Sequence, residues 1–328
     1  MAVKDDKQWP PTCSAALLHQ RAELYQAIRT FFLEKNVLEV DTPILSSATS
    51  CDANLDSFST LFGRDGLAQQ RYYLQTSPEF SMKRLLASGS GSIFQIAKSF
   101  RQGESGRFHN PEFSLLEWYR VGFSMTELIE EVVELLMLSF NENLAFRTVP
   151  YAQLFVQMIG INPHKATLDE LLEFAEKQAN PEAVHICGDS LANGLDYVFS
   201  QYIQPKLKKG LIYIVTDYPV CLAMLAKLSG DAPQTAKRFE VYFNNVELAN
   251  GYEELTDAAI QEQRFHEDLA ERRQLGVQQV PMDNNLIAAL EAGMPNCSGV
   301  ALGLDRLLML ITGASSIDEV LTFPINRA

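Results

Sequence analysis

Residues 100–120 read FRQGESGRFHNPEFSLLEWYR. An apolar run ends at Phe100, a charged stretch with two glycines interrupts it, and a second apolar run leaves through FSLLEWY. Two strands joined by a long loop satisfy that pattern, with Arg101 at the mouth and Glu117 and Tyr119 on the returning strand. The planar fork of Arg101 suits a phosphate, and a buried Glu-x-Tyr pair suits an ammonium-bearing ligand. Taken alone, such a window is an ordinary hairpin with a solvated tip. Two further segments supply the rest of a site for one nucleotide and one amino acid.

Outward from this stretch, Leu17, Leu24, Ile28 and Phe31/Phe32 fall at helical spacing within 14–35, and the helix runs out at Asn36. VLEVDTPIL (37–45) follows as an extended segment around Pro43. The pattern predicts a short helix over 79–88, paired strands over 93–101 and 113–120, and an amphipathic helix over 124–140. Residues 145–235 alternate helices (167–178, 189–207) with a strand at LIYIV (211–215), an insertion-like connector within one domain. RFEVYF (238–243) and VELANG (246–251) alternate around Asn244-Asn245, a dipeptide suited to a tight hairpin. A charged helix covers 256–274, SGVALG (298–303) reads as a strand, and LDRLLMLITG (304–313) as the helix after it. Hairpins and long excursions join these strands, so an α+β fold is expected: one domain over 1–328, with an antiparallel sheet flanked by helices rather than a doubly wound parallel one.

Composition narrows the function classes. At 328 residues, 47% hydrophobic and 21% charged, the chain can bury a large core and is not disordered. No apolar run is long enough to span a bilayer, and MAVKDDKQWPPTCSAALLHQ (1–20) lacks the basic and apolar parts of a secretory signal, which predicts a cytoplasmic protein without membrane contact. Five scattered cysteines predict free thiols, and five dispersed histidines make no transition-metal cluster. A net charge of −14 argues against an extensive nucleic-acid footprint, while leaving room for a local phosphate site.

Three constellations carry chemistry. Arg101 and Arg306 with the ring of Phe113 offer cationic forks for phosphates and an apolar face for a base, and Gly303 lets the backbone approach a ligand closely. Standing alone, GLDR would be a surface helix arginine. Glu247 and Glu254 lie seven residues apart across VELANGYEEL, around Asn250 and Gly251. Such carboxylates suit Mg²⁺ against phosphate oxygens, or an ammonium group; the bland alternative is a solvated acidic rim. Ser77 and Glu79 in TSPE (76–79) read first as helix caps, and beside the other two groups Glu79 becomes a partner for a substrate amine.

At these segments the chain resembles the catalytic domain of class II aminoacyl-tRNA synthetases of the lysyl type. FFLEKNVLEVDTPIL (31–45) is similar to the family's first motif, a helix and strand that form a dimer interface. FRQGESGRFHNPEFSLLEWY (100–119) is similar to the second, and GVALGLDRLLMLITG (299–313) to the third. KRFEVYFNNVELANGYEELTDA (237–258) is similar to a lysine-enzyme signature between them. The similarity spans roughly residues 15–328 and implies ATP and Mg²⁺ as co-substrate and cofactor, and a homodimer. It implies that Arg101 binds the α-phosphate, Phe113 stacks on adenine and Arg306 holds the γ-phosphate end. Gln102, Gly103, Asn110, Glu247, Leu248 and Gly303 would line the nucleotide site. Ser77, Pro78, Glu79, Tyr119, Asn250, Glu254 and Ala301 would line the amino-acid pocket. Glu247 and Glu254 would face Mg²⁺.

Three departures from the lysyl pattern stand out. No anticodon-reading β-barrel precedes the first motif. Ala301 stands where the family has Gly, at a position implied to face the substrate amine. Gly103 stands where the second motif has Glu, with Glu104 next door. The first two are shared by a truncated paralogue family that attaches β-lysine to a lysine side chain of elongation factor P, and GMPNCSGVALG (293–303) and TFPINRA (322–328) are similar to it as well. The expected reaction is therefore adenylation of (R)-β-lysine by ATP and transfer to elongation factor P. The alternatives are a lysyl-tRNA synthetase without its anticodon domain, an inactive paralogue serving as a binding module, and, more remotely, an asparagine-synthetase relative.

Overall fold

Ile93–Phe100 and Glu112–Val121 pair antiparallel in unbroken register, from Ile93 opposite Tyr119 to Phe100 opposite Glu112. The 101–111 stretch is thus the long loop that the sequence predicts. The computed structural model describes residues 9–63 and 69–328; the first eight residues of the segment read for a secretory signal lie outside the described residues.

Eleven strands occur among the described residues: β1 (Leu38–Glu39), β2 (Leu45–Ser46), β3 (Ser59–Phe62), β4 (Gln70–Leu74), β5 (Ile93–Phe100), β6 (Glu112–Val121), β7 (Phe146–Pro150), β8 (Ile212–Pro219), β9 (Thr235–Phe243), β10 (Val246–Glu253) and β11 (Cys297–Gly303). Eight form one sheet in the order β1-β5-β6-β11-β10-β9-β8-β7, and β2-β4-β3 form a small second sheet. The large sheet is antiparallel except at its edges, where β1 joins β5 and β7 joins β8 in parallel. The expected α+β architecture stands, with parallel margins added. The Pro43 segment forms two short strands in different sheets, because a residue without an N–H interrupts a ladder.

Side-chain alternation gives the large sheet two unlike faces. Leu116, Trp118, Phe239, Val241, Val300 and Leu302 lie in one apolar core with residues of the helices Ala15–Glu34, Met125–Phe140 and Leu304–Thr312. Their neighbours Glu117, Tyr119, Arg238, Gly299 and Ala301 line a cavity on the opposite face. Trp118 is fully buried and its indole N–H donates to Glu131 Oε1 at 3.0 Å, so the largest core side chain keeps a polar partner.

Local signals explain the boundaries. Ser14 and Ser124 cap the helices that follow them, and Asn36 adopts φ 54° just beyond the first of these. Asn244 and Asn245, at φ 50° and 67°, make the two-residue turn between β9 and β10. The register of that hairpin then shifts between Glu247 and Ala249. One extra residue changes the parity of β10: Leu248 and Ala249 both enter the core, and Glu247 lines the site together with Asn250.

The 145–235 connector is more integral than expected. β7 and β8 form the sheet's edge, and the helices between them share a second core with Tyr213, Tyr242 and Tyr252. The helix expected over 189–207 is α-helical over Leu191–Val198, widens over Phe199–Ile203 and tightens over Gln204–Lys206, where Pro205 lacks a donor. Helices Tyr151–Ile159, Ala183–Cys187 and Asn284–Gly293 were not among the sequence expectations. The five cysteines are free, and no helix among the described residues is long and apolar enough to cross a membrane.

Candidate active site

Two adjoining cavities open on the polar face of the large sheet, one of about 720 Å³ and one of about 280 Å³. Arg101, Arg238, Asn250 and Ala301 line both. Strand β11 supplies the floor through small residues at period two: Gly299 and Ala301 under the larger cavity, Ala301 and Gly303 under the smaller. Ala301 sits between Glu117 of β6 and Asn250 of β10 in the ladder.

The larger cavity is rich in carboxylates. Ser77 Oγ donates to Glu117 Oε1 at 2.6 Å and Tyr119 Oη donates to Glu117 Oε2 at 3.3 Å. Burial, and then the charge of Glu79, nevertheless push the Glu117 carboxyl up to about 8. Glu79 Oε1 and Glu254 Oε2 approach Lys83 Nζ at 2.7 and 2.6 Å, and burial holds Glu254 up at about 7 against the pull of that ammonium. Gly299 is required here: a Cβ would lie 2.6 Å from Glu254 Oε1 and closer still to the Tyr119 ring. Ser77 also accepts from Glu79 N at 3.0 Å, so it does the work of a helix cap and of a pocket donor at once.

The smaller cavity carries the arginines. Arg306 donates to Glu247 O at 3.1 Å and to Phe108 O at 3.3 Å, and approaches His109 Nε2 at 2.6 Å. Burial and the Arg306 charge lower the His109 pKa, which leaves the imidazole neutral and able to accept. Arg101 lies 5.1 Å over the Phe113 ring and 3.4 Å from Glu104. Glu104 lines this cavity and so stands near the place that Gly103 vacates in the motif. Both guanidinium groups therefore face one space, although the residues are far apart in the chain.

Behind the hairpin lies a buried network that sequence reasoning missed. Arg238 donates to Leu222 O at 2.9 Å, to Asn250 Oδ1 at 3.1 Å and to Glu240 Oε1, while Tyr218 and Tyr242 donate to Glu240 Oε2. Asn250 is thereby fixed by Arg238 on one side and donates to Tyr252 Oη at 2.6 Å on the other. The signal was present in RFEVYF: Arg238, Glu240 and Tyr242 alternate on one face. Lys83 was equally legible, one helical turn after Glu79.

Several expectations need correction. Glu247 and Glu254 do not share a metal position. Seven residues of β-structure advance about 23 Å at ~3.3 Å each; Glu254 lines the larger cavity and pairs with Lys83, whereas Glu247 lines the smaller. Of the other carboxylates lining that smaller cavity, Glu240 is the one whose charge, after burial, raises the Glu247 pKa. No group of three or more His, Cys, Asp or Glu that could hold a metal occurs among the described residues. A Mg²⁺ ion completed by water and phosphate oxygens needs only one or two carboxylates, and Glu247, with Glu240 behind it, fits that demand. Pro78, Gln102 and Gly103 line neither cavity. Pro78 precedes the first turn of the helix Glu79–Ala87, Gln102 N donates to Asp56 O at 2.8 Å, and Gly103 turns the loop at φ 84°. Asn110 lines the smaller cavity, but its side chain already donates to Glu112 O at 2.6 Å and accepts from Ile325 N at 3.0 Å. A Cβ on Gly303 would meet nothing closer than 3.7 Å, so packing within the chain does not demand glycine there.

Residues 12–327 match the family described as tRNA synthetases class II (D, K and N). Among curated proteins, the chain is 46% identical over 329 residues to the elongation factor P–(R)-β-lysine ligase of Vibrio cholerae, covering 98% of this chain and 99% of that protein. It is 45% identical over 323 residues to the protein of that name from Pseudoalteromonas translucida, with 98% of each chain covered. It is 44% identical over 329 residues to the one from Edwardsiella ictaluri, covering 99% of this chain and all of that protein.

Proposed function

Since this chain belongs to the class II tRNA synthetases of the D, K and N group, we propose that it is an ATP-dependent ligase acting on (R)-β-lysine and elongation factor P. Its named relatives support the pair of substrates. One observation carries the reading: a carboxylate-rich cavity fit for a diamino acid adjoins an arginine-lined one fit for a triphosphate, with Arg101, Asn250 and Ala301 at the border.

The reaction has two steps. The β-lysine carboxylate attacks the α-phosphate of ATP and pyrophosphate leaves, giving an acyl-adenylate. A lysine ε-amine of elongation factor P, having lost a proton, attacks the activated carbonyl and AMP leaves. No nucleophile from the chain is needed. Arg101 orients the α-phosphate, Arg306 holds the triphosphate's far end, and Phe113 offers its ring to adenine. Mg²⁺, when bound, neutralises phosphate charge, with Glu247 as its holder. Glu79, Glu117 and Glu254 receive the two ammonium groups. Residues 1–328 act as one catalytic domain in the cytoplasm. Exposed Leu33, Leu38, Ile44 and Leu45 along the first-motif segment supply an apolar edge for a homodimer.

ATP–pyrophosphate exchange with α-lysine and (R)-β-lysine side by side tests the reading. Exchange favouring (R)-β-lysine, with transfer of label to elongation factor P, is expected. A marked preference for α-lysine with formation of lysyl-tRNA would make the chain a tRNA synthetase instead. No exchange with any lysine isomer would make it a binding module.

A further inference from the structure

Lys83 is 2% exposed and lines neither cavity, yet it sits between two residues that line the larger one. It lies one helical turn after Glu79 and meets Glu79 Oε1 at 2.7 Å; across the cavity wall it meets Glu254 Oε2 at 2.6 Å. Each contact engages one oxygen of its carboxylate. The other oxygen of Glu254 lies beside Gly299, where the missing Cβ leaves it room.

We propose that Lys83 is a positioning residue for substrate specificity: it bridges Glu79 and Glu254 and aims them as a pair, so that the pair binds one substrate ammonium. This rests on the reading above, in which those carboxylates receive a diamino acid.

The charge count supports the assignment. Two carboxylates with one ammonium carry a single net negative charge, which one further ammonium neutralises. Without Lys83, the buried Glu254 and the half-buried Glu79 repel, and a proton taken up between them relieves the repulsion. The pair then presents a hydroxyl where an acceptor is needed. Burial alone would favour the neutral amine of Lys83; Glu254 and Glu79 overcome that and hold it charged. Other titratable groups face the pair: Glu117 and Tyr119 from β6, Tyr252 from β10 and Cys297 from β11. Glu117 remains in every variant below, so its titration forms a common background.

The test is calorimetric titration of the intact protein with (R)-β-lysine and α-lysine between pH 6 and 9, without ATP. Lys83→Met should bind the preferred isomer at least about tenfold more weakly at pH 7, the loss expected from a displaced, protonated partner. Its pH–affinity midpoint should also move to higher pH, because the pair now holds its shared proton more tightly. Lys83→Arg should restore the midpoint. Should Lys83→Met fail to fold, Lys83→Gln, which keeps hydrogen-bond donors for both carboxylates but loses the charge, should show the same upward shift of the midpoint. A folded Lys83→Met or Lys83→Gln with an unmoved midpoint overturns the proposal. Failure of the parent protein to bind either isomer would instead overturn the functional reading.

Discussion

Gly299→Ala and Gly303→Ala add the same methyl group to the same strand and should fail in different ways. At Gly299 the new Cβ lies 2.6 Å from Glu254 Oε1 and nearer still to the Tyr119 ring, against an ordinary contact of about 3.5–4.0 Å. Roughly 1 Å of displacement must be found, and neither neighbour has slack. Tyr119 is 3% exposed and bonded to Glu117; Glu254 is 1% exposed and paired with Lys83. Overpacking of this kind costs about 1–3 kcal/mol. Because both displaced groups line the amino-acid cavity, the cost should appear as a loss of ~5- to 150-fold in kcat/KM for (R)-β-lysine, with the KM for ATP nearly unchanged. At Gly303 the nearest atoms stand at 3.7 Å or beyond, so the free protein should accept Ala with no fall in melting temperature. Any loss there should fall on ATP. Pyrophosphate exchange with each substrate varied in turn, beside thermal melts, separates the two cases. A Gly299→Ala protein with an unchanged amino-acid KM would refute the account of the cavity floor. So would one that loses ATP and amino acid alike.

Other expectations follow from single contacts. Ala301→Gly removes the methyl at the shared border and should move the exchange preference toward α-lysine; competition between the isomers measures it, and an unchanged preference removes Ala301 from the account of specificity. Glu117, with its folded-state pKa raised from 4.5 to about 8, favours the fold while protonated, so its contribution is complete below 4.5 and is lost as pH rises through 8. Binding of the substrate's two ammonium groups should expel that proton below pH 8; titrations in buffers of different ionisation heat should detect the release, and Glu117→Gln should diminish it. Arg21 joins Asp305 at 2.7 Å, and Asp305, 2% exposed, also accepts from Ser114 N at 2.7 Å. Arg21→Ala leaves that carboxylate buried without its cation and should cost about 3–5 kcal/mol in urea denaturation. Arg21→Ala/Asp305→Asn should recover part of it, and no recovery would mean that the charge was not the cause.

What was legible in the chain was local, and what was hidden came from long-range pairing. The two strands over 93–121 are legible because each is a local apolar run beside a charged loop, and the Asn244-Asn245 hairpin because its backbone demands are local. Arg101 and Arg306 were picked out by residue type, and the sheet then brought them to one cavity. The metal assignment failed for a reason that strand periodicity makes plain. Glu247 and Glu254 looked like a pair because they are near in sequence, but extended chain carries near residues apart. The hairpin folds Glu240 back beside Glu247, and the bulge at Leu248 reverses the parity that would have separated Glu247 from Asn250. Sequence spacing alone cannot reveal a bulge, since one extra residue leaves no compositional mark. Lys83 is inconspicuous in the sequence for a related reason. A lysine one turn after a glutamate is ordinarily a solvated helix pair, and only the arrival of Glu254 from β10 turns it into a buried bridge between two walls of the cavity. In the connector, helices are legible near 167–178 and 189–207, whereas Tyr151–Ile159 and Ala183–Cys187 are hidden because the core they serve is shared with Tyr213, Tyr242 and Tyr252 and no single segment displays it.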